Sequence, residues 1–404
     1  MLVNNVKKTS ELLKTILNIT PLVFDMDLSL KHNSKIYLKR EDLTPVRSYK
    51  IRGAFNKMSS LKNKNGIVSC SAGNHAQGVA YSCNILKIKG DIFMPKITTK
   101  QKIDKVRKFG GDEVTIFLEG KNFDESFDIS KKYSIEKNKE FIHPFDDEKV
   151  IEGQATVGLE ILNQLNDNID YLFLPIGGGG LAAGVSSIFK ELSPNTKIIG
   201  VEPLGAPSMY ESFKHNKIVK LDKINTFVDG ASVKKVGELN FPICKKNLDD
   251  IILIDEGHVC SKILQMYNEN GLIIEPAGVL SLCALDIMSE NIKNKNIVSI
   301  ISGGNSDVFR MPEIMERSLI YEGLKQYFKI ELDQRAGSLK EFVLSILGQG
   351  DDIIYFKYTK LINRETGPII VGIESKTIHQ AKLLIENMKK YNINYEKLTN
   401  ISDI

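Results

Sequence analysis

Between Ile36 and Ile320 short runs of β-branched and apolar residues alternate with longer amphipathic stretches, and this alternation leaves the chain few architectures. "GIVSC", "NHAQGVAYSCNILKIK" and "GDIFMP" read as strand, helix and strand; "YLFLPIGGGG", "LAAGVSSIFKEL" and "TKIIGVEP" repeat the pattern. Strands joined through helices form a mostly parallel sheet covered by those helices. In such a sheet ligands gather beyond the strand C-termini, so the loops at Ser71–Asn74 and Gly177–Gly180 are the first places to look for chemistry.

Beyond Glu322 the pattern changes. From Phe328 the order is strand ("FKIEL"), helix ("SLKEFVLSIL"), strand ("IIYFKYT"), strand ("PIIVGIE"), helix ("TIHQAKLLIENMKKY") and a short strand ("INYEKL"), with turns at Gly337, "GQGDD" and "NRETG". This βαββαβ order is the split-βαβ, ferredoxin-like pattern, and it predicts two domains, 1–322 and 325–404. The length of 404 residues agrees with more than one folding unit. With 54 basic against 50 acidic residues the net charge is only +4, which gives no signal for nucleic acid or an acidic membrane. Five cysteines (70, 83, 244, 260 and 283), widely spaced and without a CxxC pair, read as buried thiols in a reducing compartment. No apolar run approaches the ~18 residues of a membrane span, and "MLVNNVKKTSELLKTILNIT" reads as a surface helix packed on the domain. The expected location is the cytoplasm.

Four short stretches carry candidate chemistry. "PIGGGGLAAG" places glycines between a buried strand and a helix, where open N–H groups and the helix N-terminus can hold a phosphate. Gly177, Gly179 and Ala182 also satisfy the loose dinucleotide pattern GxGxxA, with Glu202 about where a ribose ligand would lie. Four consecutive glycines suit a compact monophosphate at least as well. "SAGNHAQG" offers Ser71, Gly73, Asn74 and His75 at a helix start, a site for a carboxylate or phenolate. "SGGN" ends an apolar strand with Ser302. "SYKIRGA" frames Lys50 with small residues. Together a phosphate cup, an amide and hydroxyl loop, a strand-end serine and a lysine are the parts that hold pyridoxal 5'-phosphate.

At this level the resemblance is specific. "KREDLTPVRSYKIRGA", "SAGNHAQGVA", "PIGGGGLAAG", "VEP", "EPAG" and "SGGN" resemble the threonine/serine dehydratase branch of the tryptophan-synthase-β-like, fold-type II pyridoxal phosphate enzymes, over residues 5–320. Residues 325–404, with "RAGSLKEFVLSILGQGDDIIYFKYT" and "NRETGPIIVGIE", resemble the ACT-like regulatory domain of biosynthetic threonine ammonia-lyase. The implied fold is an α/β catalytic domain of two subdomains followed by one ACT-like domain.

The resemblance implies roles residue by residue. Lys50 is similar to the Schiff-base lysine, Tyr49 flanks the ring, and Asn74 meets the ring hydroxyl. Gly177, Gly178, Gly179, Gly180 and Leu181 resemble the phosphate cup, and Ser302 the partner of the pyridine nitrogen. Ser71, Gly73 and His75 resemble the loop that receives the substrate carboxylate. The implied reaction is deamination of L-threonine to 2-oxobutanoate and ammonia, with isoleucine as feedback inhibitor, valine opposing it, and a homo-oligomer, a tetramer by preference. Serine racemases share these motifs, but Ala72 stands where they carry a second proton-moving serine. Ser208 stands where their divalent-metal site wants an acid, so no tightly bound divalent metal is expected; a monovalent ion near Glu202 stays open. The family's Arg-Pro-Gly turn is Arg335-Ala336-Gly337 here, a departure that bears on loop stiffness and effector affinity. A serine/threonine dehydratase of catabolic type is the alternative within the lyases, and two readings from other classes stand beside them: a nicotinamide-dependent oxidoreductase built on the Gly177 loop, and a non-catalytic amino-acid sensor.

Overall fold

The computed structural model describes residues 3–62, 65–358 and 365–398, and the chain divides into two compact units, Met1–Asp307 and Val308–Ile404. The first contains two sheets. The larger runs in the order Leu22–Phe24, Lys35–Arg40, Asn296–Ile301, Tyr171–Pro175, Lys197–Pro203 and Asp250–Ile254, parallel throughout except for the first strand. The smaller runs Val114–Leu118, Gly90–Met94, Ile67–Cys70 and Glu140–Phe141, all parallel. Strands such as Ile67–Cys70 and Tyr171–Pro175 are buried along their whole length, as expected of parallel strands covered on both faces.

Each sheet has its own core. Val68, Cys70 and Phe93 lie on one side of the smaller sheet, Ile67, Ile92 and Met94 on the other. Leu172, Leu174, Val298 and Ile300 pack the larger sheet against the helices Glu148–Gln164 and Gly180–Leu192. The N-terminal segment is a helix, Val3–Leu13, whose Val3 and Val6 bury against Ala155, Leu159 and Ile188. Among the described residues no helix is long and apolar enough to cross a membrane.

The second unit carries the βαββαβ order as read from the sequence: Lys325–Asp333, helix Ser338–Ile346, Asp352–Tyr358, Thr366–Glu374, helix Ile378–Lys390 and Tyr395–Leu398. Its sheet is antiparallel, ordered Asp352–Tyr358, Thr366–Glu374, Lys325–Asp333 and Tyr395–Leu398. Phe328, Ile330, Ile369 and Val371 form its core with Phe342, Leu384 and Met388 of the two helices. The predicted strand end at Thr359 and part of the "NRETG" turn lie outside the described residues. The boundary drawn at 322–325 assigned the helix Met311–Tyr321 to the first domain, whereas in the structure it falls in the second unit. Glu316 on that helix accepts from the Tyr327 hydroxyl at 2.7 Å and pairs with Lys325. The Arg335-Ala336-Gly337 turn bends through Gly337 at φ 91°, a conformation that favours glycine, and the Arg335 guanidinium closes on Glu341 at 2.5 and 2.8 Å.

Candidate active site

Lys50 owes its place to the backbone on either side of it. Ser48 bridges Gly303, and the Tyr49 N–H donates to the Ser302 carbonyl at 3.1 Å, stitching the lysine to the end of strand Asn296–Ile301. The Thr44 hydroxyl donates to the Ser48 carbonyl (2.8 Å) and accepts from its N–H (2.9 Å), closing the turn ahead of helix Lys50–Ser59. The small residues after the lysine face another helix instead of a ligand. A Cβ on Gly53 would lie 2.8 Å from Val150, and one on Gly153 would lie 2.5 Å from the Arg52 carbonyl. The helices Lys50–Ser59 and Glu148–Gln164 therefore touch backbone to backbone.

Arg52, in the first turn of that helix, is fully buried between two carboxylates. Its guanidinium donates to Glu41 (2.8 and 2.8 Å) and Glu160 (2.6 and 2.9 Å), and Lys39 adds a second cation on Glu160 at 2.6 Å. Burial works to raise the Glu160 carboxyl, but Arg52 and then Lys39 hold it below the usual carboxylate range.

Lys50, Tyr49, Ser71, Gly73, Asn74, His75, the Gly177–Leu181 loop and Ser302 all line one cavity of about 1100 Å³. Among the described residues the only hydrogen-bond partner of the Lys50 Nζ is the Pro144 carbonyl, at 2.8 Å. Burial lowers its pKa from the ordinary lysine value to about 8, against the opposing charge of Glu275. The Tyr49 ring centroid lies 5.3 Å from the Nζ.

The helix Gly180–Leu192 opens without a side-chain cap, and Gly179 before it takes φ 92°. A side chain on Gly178 would run into the Phe145 ring, and one on Gly180 would meet the Phe145 carbonyl at 2.9 Å. The turn is therefore lined by backbone N–H groups alone, at the positive end of a helix, which is a cup for an anion the size of one phosphate. Asn240 braces it, donating to the carbonyls of Gly178 (2.9 Å) and Phe145 (3.0 Å).

The helix Asn74–Leu86 also starts uncapped, and a Cβ on Gly73 would enter open space. The Ser71 hydroxyl accepts from the Gly73 N–H at 3.1 Å. The His75 ring turns away from this opening: its Nε2 faces the Ile142 carbonyl at 3.0 Å. Burial and then the Lys50 charge lower its pKa to about 3, so at neutral pH the ring is uncharged and what it can offer an anion is its backbone N–H. Ala72 lines the same cavity and carries no group that moves a proton.

Sequence reasoning missed the segment Ile142–Asp147. Ile142, Pro144 and Phe145 receive His75, Lys50 and the glycine turn, while the Asp146 carboxylate accepts from the Glu238 and Leu239 N–H groups at 2.9 Å. No glycine or hydroxyl motif marks it. It also left Glu275 without a role inside the quoted "EPAG"; that buried carboxylate accepts from the Asn74 amide at 2.7 Å.

Near Glu202 the geometry is that of a cap. Its carboxylate accepts from the N–H groups of Met209 and Tyr210, each at 2.8 Å, at the start of helix Ser208–Lys214. Burial raises its pKa to about 8. Among the described residues no group of three His, Cys, Asp or Glu side chains is placed to hold a metal ion.

A buried amine set in one cavity with an uncapped, glycine-lined helix start is the arrangement of a site for a phosphate-bearing cofactor. Residues 13–303 match the profile of the pyridoxal-phosphate dependent enzymes, and residues 316–403 that of the C-terminal regulatory domain of threonine dehydratase. The chain thus belongs to the pyridoxal-phosphate dependent enzyme family, in its threonine dehydratase branch with a regulatory domain. It is 51% identical over 392 residues to L-threonine dehydratase biosynthetic IlvA of Halalkalibacterium halodurans, covering 96% of this chain and 94% of that one. The Bacillus subtilis protein of the same name is 47% identical over 405 residues, covering 100% and 96%. Among solved structures, the processed threonine deaminase isoform 2 of Solanum lycopersicum superposes with a TM-score of 0.74 at 39% identity, over 78% of this chain and 93% of that one. Maize serine racemase gives 0.72 at 28% identity, over 79% and 98%.

Proposed function

We propose that this chain deaminates L-threonine to 2-oxobutanoate and ammonia, with pyridoxal 5'-phosphate held by Lys50. The observation that carries the reading is the Lys50 amine, poised near neutrality in the same cavity as the glycine cup. The uncapped glycine turn at Gly177–Leu181 would take the cofactor's phosphate, Asn74 would meet the ring hydroxyl, Ser302 the pyridine nitrogen, and Tyr49 would flank the ring; all of them line the one cavity. When bound, the cofactor supplies an electron sink that makes the substrate's Cα–H acidic. Ser71 and the open helix start at Gly73–His75 receive the substrate carboxylate. Lys50, uncharged once released, takes the Cα proton as general base. Ser302 would face the pyridine nitrogen with a neutral hydroxyl, where a carboxylate would hold a proton on it; this would favour elimination, with the β-hydroxyl leaving as water and the proton that Lys50 takes from Cα balancing the one the hydroxide gains. The enamine that leaves is hydrolysed to 2-oxobutanoate and ammonia. Ala72 leaves the face opposite Lys50 without a proton carrier, which supports elimination over racemisation.

In this reading the first unit performs the reaction and the second regulates it, binding isoleucine as inhibitor with valine opposing, by shifting two conformations of a homotetramer. The protein works in the cytoplasm, in keeping with five cysteines that are all buried and free. The test is 2-oxobutanoate release from L-threonine by the full chain, with and without isoleucine, beside Lys50→Ala. Turnover that vanishes in the variant and falls with isoleucine is expected. Cofactor-loaded protein without turnover would overturn the lyase, and turnover indifferent to isoleucine would overturn the regulatory role.

A further inference from the structure

Glu275 precedes helix Pro276–Ile287 as its N-cap residue, yet its carboxylate does not cap that helix. An acidic N-cap ordinarily folds back onto the first-turn N–H groups. Here both oxygens are used elsewhere: Oε1 accepts from the Asn74 side-chain amide at 2.7 Å, and Oε2 from the Asn305 backbone N–H at 3.2 Å. Asn305 completes the ring, donating its own amide to the Asn74 carbonyl oxygen (2.8 Å) and to the Val46 carbonyl (2.8 Å). The Asn305 Oδ1 accepts from Lys105 at 3.3 Å. Asn74 is thus gripped at both ends of its amide by a closed triangle of Glu275, Asn74 and Asn305. The space is shaped for it: a Cβ on Gly303 would lie 2.8 Å from the Glu275 carboxyl carbon.

The charges around this carboxyl come from three directions. Lys50 and Tyr49 face it from the lysine segment, Lys102 and Lys105 from helix Lys100–Gly110, and Asp229 from the loop across the cavity. Among the described residues no cation forms a direct ion pair with it. Burial, then Asp229, raise its pKa to about 7, whereas the bonds from Asn74 and Asn305 favour the ionised form. Two N–H donors, one on each oxygen, are the arrangement of a carboxylate.

We propose that Glu275 is a positioning residue for the cofactor end of the cavity: it fixes the Asn74 amide and supplies a negative charge that favours the protonated state of the nitrogen on Lys50. The inference rests on the reading that Lys50 and Asn74 hold the cofactor. Removal of the carboxylate charge disfavours a nearby cation, and removal of its acceptor frees Asn74 to rotate.

The test uses the full chain loaded with pyridoxal phosphate. The visible band of the lysine-linked cofactor is titrated with pH, and cofactor affinity is measured by equilibrium dialysis, in wild type, Glu275→Gln, Glu275→Asp, Asn74→Ala and Asn74→Ala/Glu275→Gln. Glu275→Gln is expected to lower the pH midpoint of the band by about one unit and weaken cofactor binding roughly tenfold. Glu275→Asp keeps the charge, so its midpoint stays within about 0.3 unit of wild type. Because the two residues act through one contact, the double variant binds cofactor no more than about threefold more weakly than Asn74→Ala. A midpoint in Glu275→Gln equal to wild type, or affinity losses that multiply in the double variant, would overturn the proposal. A wild-type protein without any Lys50-dependent band would instead remove the cofactor reading, and the proposal with it.

Discussion

Replacing Arg52 by methionine tests how the lysine-bearing helix is held. The side chain is about as long, so packing is largely kept, but the guanidinium's bonds to Glu41, Glu160, Thr156 (3.1 Å) and Thr20 (3.4 Å) vanish together. In the wild type two cations, Arg52 and Lys39, balance two carboxylates in a site closed to water. The variant leaves Lys39 alone against both, and Glu41 retains the Thr20 hydroxyl at 2.6 Å. Breaking a buried ion pair by removing one partner costs about 3–5 kcal/mol, which is roughly two to three and a half decades in the unfolding equilibrium. The assay is urea unfolding followed by cofactor release and far-ultraviolet circular dichroism, so that the first unit is tracked separately from the second. Pairing Arg52→Met with Glu41→Gln removes the surplus charge and is expected to recover about half of the loss, roughly 2 kcal/mol. A single variant within about 1 kcal/mol of wild type, or a double variant no better than the single, would refute the charge-balance argument.

Lys50 in cofactor-free protein should react with an amine-selective acylating reagent with a pH midpoint near 8, against about 10.4 for an ordinary lysine; a midpoint above about 10 would contradict its burial. Gly178→Ala drives a methyl group into the Phe145 ring, and a cost of about 1–3 kcal/mol is expected, read as weakened cofactor binding in dialysis. Phe145→Leu in the same chain should restore part of it. Asp286 accepts from Lys262 (2.7 Å), Lys31 (2.8 Å) and His258 (3.0 Å). Burial opposes its ionised form, but His258, His32 and Lys262 hold its pKa well below the usual carboxylate range. The stability that follows is present above the unfolded-state pKa of about 3.9 and is lost as pH falls below it. Asp286→Asn should therefore be less stable than wild type by about 2–4 kcal/mol at pH 7 in thermal unfolding, with the gap narrower by roughly 1 kcal/mol at pH 3.

What could be read from the sequence is what is local. Strand, turn and helix follow one another within a dozen residues at Ser71–Asn74 and at Gly177–Gly180, so both loops and their place at strand ends were legible. The βαββαβ order was equally plain from its periodicity. Lys50 stood out because other motifs gave it a partner. The residues that escaped notice act across long separations. Glu275 meets Asn74 only because the starts of helices Pro276–Ile287 and Asn74–Leu86 come together, and Arg52 finds Glu160 through the contact of two helices at Gly53 and Gly153. Pro144 works through a carbonyl, which no side-chain pattern reports. The His75 ring is a different case: its type suggested a ligand contact, and tertiary packing turned it to the Ile142 carbonyl. The small residues after Lys50 suggested close approach, correctly, but the approaching partner is a helix.

The strand Asn296–Ile301 lies in the middle of the larger sheet, between Lys35–Arg40 and Tyr171–Pro175, and is the last of that sheet to be made. As the chain leaves the ribosome, nearly three hundred residues emerge before the slot at the centre of the sheet can be filled. Until then the facing edges of Lys35–Arg40 and Tyr171–Pro175 stay unpaired, and the backbone partner that Tyr49 needs at Ser302 does not yet exist. The order of synthesis thus makes closure of this sheet, and with it the backbone contact that seats Lys50, wait on the final strand.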